Sequence, residues 1–586
     1  MEDVTAKRDK ERKWYGWGFK DSGFYIGDDS VVRFSGNRYW LCGSPLPRLM
    51  EYLNDVRVDI NYRTPPQKLE NILATISDPK RNEEFISFLE KHGIQHSFDK
   101  FSRLNRGRGE SMYEIYALRN GKINRVPDIV VWPSNHDEVV SIVAAANDNN
   151  VCIIPNGGGT SISLNLLCPE NETRMIVALD MAKMSRILKI DSRNYTVQVE
   201  AGIAGIDLEN ELNENGFTLG HEPDSLEFST AGGWISTRAS GMKRGKYGNI
   251  EEILVHVTVV TPKGILEKSS QAPRVSTGPD IHHFILGSEG TLGVITKATF
   301  KIFDKPERQN YACLVFPTFE DGVSCLREII RKRTNAASMR LVDNYQFRIG
   351  RTFQKGYLHV GQKIFHQIEQ LYLYAWKGID PNEICAMSMV LEGTAKEVKE
   401  QEKRIFEIAD KYKGFTGWAE NGRRAYILAN AIGYFRDIAF DYSVVGDSIE
   451  TSSPWDRILA IRKSVTELLK QQFEKYGVYN TISFRLSQAY DAGVCIYIYY
   501  TFNYRHLRSS ESPPDIVMKI SYLVRETIMK EGGSLSHHHG VGKLKSKQYP
   551  NFLSRPGVTA LRAIKQELDP NNVFGSGNLF EPKAML

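Results

Sequence analysis

The stretch Val151-Cys152-Ile153-Ile154-Pro155-Asn156-Gly157-Gly158-Gly159-Thr160-Ser161 runs from an apolar strand directly into a glycine-rich loop. It follows a short buried strand at 127–133 and a helix that Ser134 is predicted to cap. Such a strand–helix–strand unit offers backbone N–H groups and hydroxyls to a phosphate, although tight turns use the same residues. The loop lacks the Gly-x-Gly-x-x-Gly dinucleotide pattern, and residues 241–247 have the wrong spacing for a P-loop, which argues against a nucleotide triphosphatase.

Three further loops share this glycine- and hydroxyl-rich composition. They lie at 221–233, 237–241 and 286–296, and each is joined to an apolar strand or helix. One such loop carries little information, because tight turns use the same residues. Four of them in one part of the chain predict a surface that wraps a single long polar cofactor.

Composition sets the limits of the interpretation. A chain of 586 residues exceeds one hydrophobic core, so two or three domains are expected. With 75 basic and 70 acidic residues, the net charge of +5 is too small to indicate nucleic acid as the main partner. It suits an anionic substrate or a weak membrane association. The seven scattered cysteines predict reduced thiols in an intracellular compartment, and neither a membrane-spanning run nor a signal peptide is visible.

Several local patterns are open to a structural or a functional interpretation. The aromatic motif Trp14-Tyr15-Gly16-Trp17-Gly18 is interpreted as a local cluster, with packing onto another domain as the alternative. The basic run from Lys100 to Arg108 is typical of a solvated loop. After residue 305 helices and strands are mixed, and a strand at 494–502 places Tyr497 and Tyr499 on one face.

Three consecutive histidines, His537, His538 and His539, lie between glycine-rich flanks. Imidazole titrates near neutral pH, so the cluster is suited to moving protons or holding an anion, while a polar surface loop is an equally good interpretation. A metal site is disfavoured, because adjacent residues on one chain rarely all reach one ion.

The four loops, in this order, resemble the FAD-binding domain of the vanillyl-alcohol-oxidase/p-cresol-methylhydroxylase flavoprotein superfamily. The stretch from Leu568 to Asn572 resembles the C-terminal end of its members. Within the superfamily the chain is most similar to the alkyldihydroxyacetonephosphate synthase family, over roughly residues 14–580. The stretches that carry this narrower resemblance are 221–230, 232–242, Glu450-Thr451-Ser452-Ser453-Pro454-Trp455-Asp456-Arg457, and Ser534-Leu535-Ser536-His537-His538-His539-Gly540.

The resemblance implies an α+β fold: a two-subdomain FAD-binding domain, an α/β cap domain and a largely helical N-terminal region. The implied ranges are 1–120 for the N-terminal region, 121–305 for the FAD domain, 306–546 for the cap and 547–586 for a tail that returns to the FAD domain. The residues that match the family's FAD-contacting loops are Pro155, Asn156, Gly157, Gly158, Gly159, Thr160, Ser161, Asp224, Ser225, Leu226, Glu227, Phe228, Ser229, Thr230, Thr237, Arg238, Ala239, Ser240, Glu289, Gly290, Thr291, Leu292, Gly293, Val294 and Ile295.

The family exchanges the acyl chain of acyl-dihydroxyacetone phosphate for a long-chain fatty alcohol, which forms an ether lipid precursor without net redox change. In the family the flavin N5 carries substrate carbon 1 covalently between the two half-reactions. Such chemistry needs a base for a carbon 1 proton, cations for the phosphate and a dry channel for two alkyl chains.

The resemblance also assigns roles to individual side chains. Tyr497 matches the catalytic tyrosine, with Tyr499 as the reserve, and a phenol needs a neighbouring cation to become a useful base. Arg436 matches the residue that binds substrate, here its phosphate, and Ser448 adds a hydroxyl. The remaining residues that match groups required for activity are Arg340, His221, His537, His538 and His539, of which one or two of the triplet are expected to contact substrate or flavin. On residue type alone, such arginines are usually surface ion pairs and paired strand tyrosines are usually core packing.

Two other functions remain open from the sequence. A FAD-linked 2-hydroxy-acid oxidase or dehydrogenase shares the cofactor loops, and a non-catalytic flavin- or lipid-binding protein belongs to another class. The family implies a homodimer and peripheral membrane contact in the peroxisome. The C-terminal Ala584-Met585-Leu586 resembles the small–basic–leucine targeting tripeptide, with Met in the basic position.

Overall fold

The computed structural model describes residues 4–353, 379–417 and 419–580. The N-terminal part contains the predicted helices, and it also contains a small antiparallel sheet that the sequence did not indicate. The helices are Val4–Glu11, Leu49–Asp55, Leu69–Thr75, Glu83–Lys91, Lys100–Arg106 and Met112–Arg119, and the strands are Phe24–Ile26, Val32–Phe34 and Pro45–Leu46.

A four-stranded sheet carries the first glycine-rich loop at the end of an edge strand. Its order is Gln95–Ser97, Ile129–Trp132, Ile176–Asp180 and Cys152–Asn156, with the last three strands parallel. Helix His136–Asp148 packs its apolar stripe into the same core. Its N-cap is Asn135 and not the predicted Ser134, because the Asn135 side chain accepts the Glu138 N–H at 3.0 Å.

A five-stranded antiparallel sheet forms the second part of the predicted cofactor domain. Its strands in order are Gly264–Leu266, Leu254–Thr261, Val294–Lys301, Thr196–Glu200 and Ile187–Asp191. Helices Gly205–Glu214 and Ala231–Thr237 cover its apolar side. The shorter elements around it are Met181–Lys183, Phe217–Thr218, Arg244–Tyr247, Ile250–Ile253, His282–Ile285 and Phe303–Asp304.

A seven-stranded antiparallel sheet dominates the second half of the chain. Its order is Phe415–Thr416, Arg308–Phe316, Cys385–Gly393, Ser338–Val342, Asn480–Ala489, Gly493–Asn503 and Val444–Pro454. One face packs against the helices Phe319–Arg331, Ala395–Lys411, Ile458–Tyr476 and Pro513–Lys530 in the largest core cluster, and helix Asn344–Thr352 lies beside the sheet. The opposite face has a small apolar cluster around Cys313, Val315 and Ala386, and its polar part carries Glu450, Arg485 and Tyr497.

Helix Ala419–Asp441 joins the N-terminal part to the large sheet. Its Asp437 accepts the Trp17 N–H at 3.1 Å and pairs with Lys13 at 3.1 Å, and the Trp17 ring packs against Phe228. The interpretation of the N-terminal aromatic motif as a local cluster is therefore wrong. The motif packs onto both the second cofactor loop and this helix.

The C-terminal helices Tyr549–Phe552 and Arg555–Leu568 lead back to the four-stranded sheet. The Asp569 carboxylate accepts the N–H groups of Val573 and Phe574, and the Val573 carbonyl accepts the Ile153 N–H at 2.7 Å. All seven cysteines are unpaired, as predicted. Among the described residues, no helix is long and apolar enough to cross a membrane. The C-terminal tripeptide lies outside the described residues.

Candidate active site

One cleft gathers parts of all four glycine-rich loops. Two side chains of the histidine triplet, His538 and His539, also line it. The predicted cofactor residues on its wall are Pro155, Asn156, Gly157, Gly158, Gly159, Thr160, Ser161, Ser225, Ser229, Thr230, Thr237, Ala239, Ser240, Glu289, Gly290, Gly293, Val294 and Ile295. The cleft therefore connects the predicted cofactor surface to the cap.

The other predicted cofactor residues lie away from the cleft wall. Phe228 packs between Trp17 and Phe19, and Glu227 accepts a hydrogen bond from Tyr39 at 2.8 Å. Arg238 is exposed beside Glu251. Leu226, Thr291 and Leu292 are used in packing and turn contacts, and Asp224 faces two arginines of the cap.

The first two loops approach each other so closely that they require glycine. A Cβ on Gly158 would lie 2.0 Å from the Phe228 carbonyl oxygen, and one on Gly157 would lie 2.4 Å from Thr230 Oγ1. Residues 155–161 include no acidic side chain. Backbone amides, the hydroxyls of Thr160 and Ser161 and the absence of negative charge suit this loop to a diphosphate.

Arg8 on helix Val4–Glu11 and Arg12, which directly follows that helix, contact the first loop from the side away from the cleft. Arg8 donates to the Gly157 carbonyl at 3.1 Å, and Arg12 donates to the Gly158 carbonyl at 2.8 Å. Arg8 also pairs with Asp180 at 3.0 Å, as Arg106 does at 2.9 Å. Because the carbonyls are engaged from behind, the loop's amides remain available to the cleft.

The basic run at 100–108 is part of this network. Arg103 and Arg106 are fully buried on helix Lys100–Arg106, and Arg103 donates to the Pro127 carbonyl at 2.7 Å. The interpretation of this run as a solvated loop is wrong, because Arg103 and Arg106 lie on a helix and are buried. Their carbonyl and carboxylate partners are distant in sequence, so no local pattern indicated the burial.

Arg12, which contacts the first loop, is also affected by burial, which lowers its pKa to about 9.

The polar face of the seven-stranded sheet holds the predicted catalytic tyrosine. Antiparallel pairing places Glu450 and Arg485 directly opposite Tyr497 on its two neighbouring strands, so all three share one face. Tyr499 follows on the same face, and its ring stacks on Tyr497 with centroids 5.4 Å apart. Ser448 pairs opposite Tyr499. The predicted alternation of this strand is confirmed.

A chain of hydrogen bonds leads from Tyr497 through the histidine triplet. The Tyr497 hydroxyl lies 2.6 Å from His538 Nε2 and 3.3 Å from His539 Nε2. His538 Nδ1 lies 2.8 Å from His537 Nδ1, and His537 Nε2 lies 2.6 Å from the Tyr490 hydroxyl. If Tyr497 donates to His538, each successive imidazole has one N–H that donates to the next acceptor, which assigns the tautomers.

Burial keeps these imidazoles uncharged. It lowers the pKa of His537 and of His538 to about 3, and the pKa of His539 to about 4. Burial likewise raises the pKa of Tyr497 well above its usual value, even though the Arg485 guanidinium acts in the opposite direction. At neutral pH the cluster is therefore a protonated phenol facing neutral imidazole acceptors.

The Glu450 carboxylate holds the histidine loop in place through hydrogen bonds to its backbone. Its carboxylate accepts the backbone N–H groups of His537, His538 and His539, and it also accepts the Ser536 hydroxyl. Lys545 lies 3.5 Å from the same carboxylate. Burial opposes ionisation, yet the Lys545 ammonium holds the pKa of Glu450 well below its usual range. The carboxylate thus fixes three successive residues at once.

Four potential metal ligands, Glu450, Cys495, His537 and His538, lie within 4.8 Å of one another. Glu450 is already saturated by backbone N–H groups, and the two imidazoles face each other at hydrogen-bond distance. Burial raises the pKa of the Cys495 thiol, which disfavours the thiolate that a metal requires. The arrangement favours a proton path over a metal centre.

The predicted arginines lie in two places. Arg340 donates to Asp224 at 2.9 Å on the same side of the sheet as Tyr497. Arg436, on helix Ala419–Asp441, pairs with Glu110 at 3.0 Å, and the Glu110 N–H bonds to the Ser161 carbonyl. Arg436 therefore lies beside the end of the first cofactor loop and away from the Tyr497 hydrogen-bond chain.

His221 is buried, and among the described residues neither of its ring nitrogens has a hydrogen-bond partner. Its ring packs edge-on against Trp234 at 4.9 Å, and burial lowers its pKa to about 3. The structure brings Tyr497, Tyr499 and the triplet together, whereas it places His221 in a separate apolar environment.

Comparisons with known proteins agree with this geometry. A family model described as "FAD binding domain" matches residues 127–270, and one described as "FAD linked oxidases, C-terminal domain" matches residues 305–579. An alkyldihydroxyacetonephosphate synthase of Caenorhabditis elegans is 44% identical over 98% of this chain and 96% of its own length. The chain belongs to the alkyldihydroxyacetonephosphate synthase family.

Solved structures support the same assignment. The crystal structure of an alkyldihydroxyacetonephosphate synthase aligns with a TM-score of 0.83 and 28% identity, covering 98% of this chain and 99% of that chain. A p-cresol methylhydroxylase structure, 15% identical with a TM-score of 0.63 over 86% of this chain and 96% of that chain, has the same overall fold. The fold is thus the predicted α+β flavoprotein fold, and the synthase family is favoured over the 2-hydroxy-acid oxidase alternative.

FAD is the cofactor of this flavoprotein family member. The first loop suits the diphosphate, the second loop packs closely against it, and the third loop adds the hydroxyls of Thr237 and Ser240 to the cleft wall, so these residues fit that group. Further residues of the cleft wall were not among the predicted cofactor residues. Asn165, Trp234, Ser236 and Ser288 lie beside or within the predicted loops, whereas Met181, Ser576 and Asn578 come from other segments that no local pattern connects to the loops.

Replacing Arg8 and Arg12 together by Met is expected to weaken FAD binding by at least about tenfold, since each donates a buried charge-assisted hydrogen bond to the first loop. The measurement is a fluorescence titration of the apoprotein with FAD. Lys7→Met removes one positive charge from an exposed position of helix Val4–Glu11, without a contact to the loop in the described part of the chain, and serves as the control. An unchanged FAD affinity in the double variant would contradict the prediction.

Proposed function

We propose that this chain exchanges the acyl chain of acyl-dihydroxyacetone phosphate for a long-chain fatty alcohol, forming alkyl-dihydroxyacetone phosphate and a fatty acid. The observation that carries the proposal is the Tyr497–His538 hydrogen bond, which joins the cap's tyrosine strand to a histidine on the wall of the FAD cleft. Bound FAD supplies the nucleophilic ring nitrogen that the exchange needs. The protein must bind the phosphate, handle protons and exclude water.

Proton handling is assigned to Tyr497 and the histidine triplet acting together. The phenol is protonated at neutral pH, so Tyr497 alone is not the base. The phenol oxygen can take up the proton from substrate carbon 1 as it gives its own proton to His538 Nε2, so that Tyr497 ends protonated and one proton has moved to the imidazole. His537 and Tyr490 extend the same chain away from the cleft.

Substrate positioning is assigned to the cations and hydroxyls around this chain. Arg436 is proposed to bind the phosphate, because its Nε lies buried without a hydrogen-bond partner among the described residues. Ser448 and Tyr499 extend the polar face beside Tyr497. Arg340 is proposed to orient Asp224 near the flavin, and His221 is proposed to support the cleft through Trp234.

The cellular setting is proposed from the family. It comprises a homodimer, peripheral contact with a membrane, and the peroxisome as location. The similarity to the synthase relatives supports the peroxisomal part of this proposal, and the overall charge of +5 is compatible with an anionic lipid surface. The domain ranges 1–120, 121–305, 306–546 and 547–586 remain part of the proposal.

The decisive experiment incubates the FAD-loaded protein with palmitoyl-dihydroxyacetone phosphate and labelled hexadecanol. The expected products are labelled alkyl-dihydroxyacetone phosphate and free palmitate in equal amounts, without a change in flavin oxidation state. A parallel incubation with lactate or glycolate tests the oxidase alternative. Bleaching of the flavin by these acids, with no ether product, would overturn the proposed function.

A further inference from the structure

Arg485 is a largely buried cation whose guanidinium forms no hydrogen bond within the described residues. Its guanidinium carbon lies 4.5 Å from the Tyr497 ring centroid and 5.4 Å from that of Tyr499. Its nearest carboxylate oxygen, on Asp224, is 3.8 Å away, which is too long for a hydrogen bond. Within the described part of the chain, its buried Nε has no partner. Because an unsatisfied buried guanidinium is costly, these donors indicate a missing anionic ligand.

The charges around Arg485 leave a positive surplus. Arg340 and Arg485 together face only Asp224, so two cations oppose one carboxylate. The other nearby acid, Glu450, is engaged by Lys545 and by three backbone N–H groups. The histidines of the triplet are uncharged at neutral pH. This side of the cap is therefore built for one additional negative charge.

Two oxyanions of the proposed reaction could fill this position, namely the substrate phosphate and the departing fatty carboxylate. Tyr497 handles the proton of carbon 1, and the carboxylate leaves from that same carbon. The phosphate is attached two carbons further on, and the separate cation Arg436 lies beside the first cofactor loop. The stacking of Arg485 on Tyr497 thus places its guanidinium close to the carbon 1 end of the substrate.

We propose that Arg485 binds the carboxylate that leaves carbon 1, an inference that rests on the proposed function. The bond between carbon 1 and the acyl oxygen breaks, and its electron pair departs on the carboxylate. The alcohol oxygen forms the new bond to carbon 1, and the alcohol's hydroxyl proton is released to balance the carboxylate. The planar fork of Arg485 matches the two carboxylate oxygens, which stabilises the charge as it develops.

The first test compares leaving groups. Arg485→Gln is expected to slow ether formation from palmitoyl-dihydroxyacetone phosphate by about 10²-fold, the loss typical of one oxyanion donor. With a 2,2-difluoropalmitoyl donor, whose acid is a better leaving group, the gap between variant and wild type is expected to shrink by at least about tenfold. A gap that is the same for both donors would overturn the proposal, because it indicates a merely structural role.

The second test needs no turnover. Palmitate binding to the resting FAD-loaded protein is expected to weaken about tenfold or more in Arg485→Gln, whereas glycerol 3-phosphate binding stays within about twofold. Arg436→Gln is expected to show the reverse pattern. Weakened glycerol 3-phosphate binding, or unchanged palmitate binding, in Arg485→Gln would overturn the proposal.

A conservative variant and the binding titrations distinguish failure of this inference from failure of the proposed function. Arg485→Lys retains the charge but not the bidentate fork, so it is expected to show a smaller loss in the same direction, and it replaces Arg485→Gln if that variant fails to retain FAD. If the wild type forms no ether, the proposed function fails. The palmitate and glycerol 3-phosphate titrations then still decide whether Arg485 binds a carboxylate.

Discussion

Tyr497→Phe is expected to lower kcat for ether formation by about 10³-fold, with FAD content and overall stability close to wild type. The substitution removes only the hydroxyl that lies between His538 and His539. The ring keeps its stacking on Tyr499 and its contact with Arg485. The loss therefore reports on proton transfer rather than on packing.

The reason for so large an effect lies in the electrostatics of the site. Burial raises the pKa of Tyr497 well above its usual value and lowers the pKa of His538 to about 3. Neither group holds an ionic charge at neutral pH, so only a concerted shift along the hydrogen-bond chain moves a proton cheaply. Without the phenol oxygen, the hydrogen-bond chain through His538 loses the group that is proposed to take the carbon 1 proton.

Tyr500 supplies the matched control for this prediction. It follows on the same strand but faces the opposite side, where its hydroxyl donates to the Val517 carbonyl at 3.0 Å. Tyr500→Phe is expected to cost about 1 kcal/mol of unfolding free energy while kcat stays within about twofold. Steady-state kinetics and urea unfolding measure both quantities. If Tyr497→Phe retains more than a tenth of wild-type kcat, the hydrogen-bond chain is not the proton path.

Much of the fold was predictable because periodicity is a local property. The strand–helix–strand unit around residue 150 has short apolar runs and turn residues at its boundaries, and the structure confirms it. Helix Ala419–Asp441 was not predicted, because Gly422 and Gly433 interrupt the pattern of strong helix formers in this segment. In the structure these glycines allow close approach to Ala312 and Trp17, a tertiary reason that no local pattern reveals.

The site was predictable only in part for a related reason. Tyr497 and Tyr499 share a face because alternation within one strand sets it. Glu450 and Arg485 lie beside Tyr497 because of the register in which two other strands pair with its strand. The local pattern of a sequence does not reveal which strands are neighbours, so these two residues were not predicted. The burial of Arg106 likewise depends on Asp180, which is distant in sequence.

Glu450→Gln is expected to damage both stability and catalysis. The carboxylate is fully buried, accepts the N–H groups of three consecutive histidines and balances Lys545. Its neutralisation leaves the Lys545 ammonium buried without a counterion, which is expected to cost about 3–5 kcal/mol of unfolding free energy. The loosened loop is also expected to lower kcat by about 10²-fold, because imidazole positioning governs proton transfer.

A double variant separates these two consequences. Glu450→Gln with Lys545→Met removes both charges, so most of the lost unfolding free energy is expected to return, because no buried ion remains unpaired. Activity is not expected to return, since the amide cannot accept all the backbone N–H groups that hold His537 to His539 in place. Urea unfolding and kcat, measured on single and double variants, give the comparison. Recovery of both quantities together would mean that Glu450 only neutralises Lys545, and the histidine geometry would then have to be set by the flanking glycines rather than by the carboxylate.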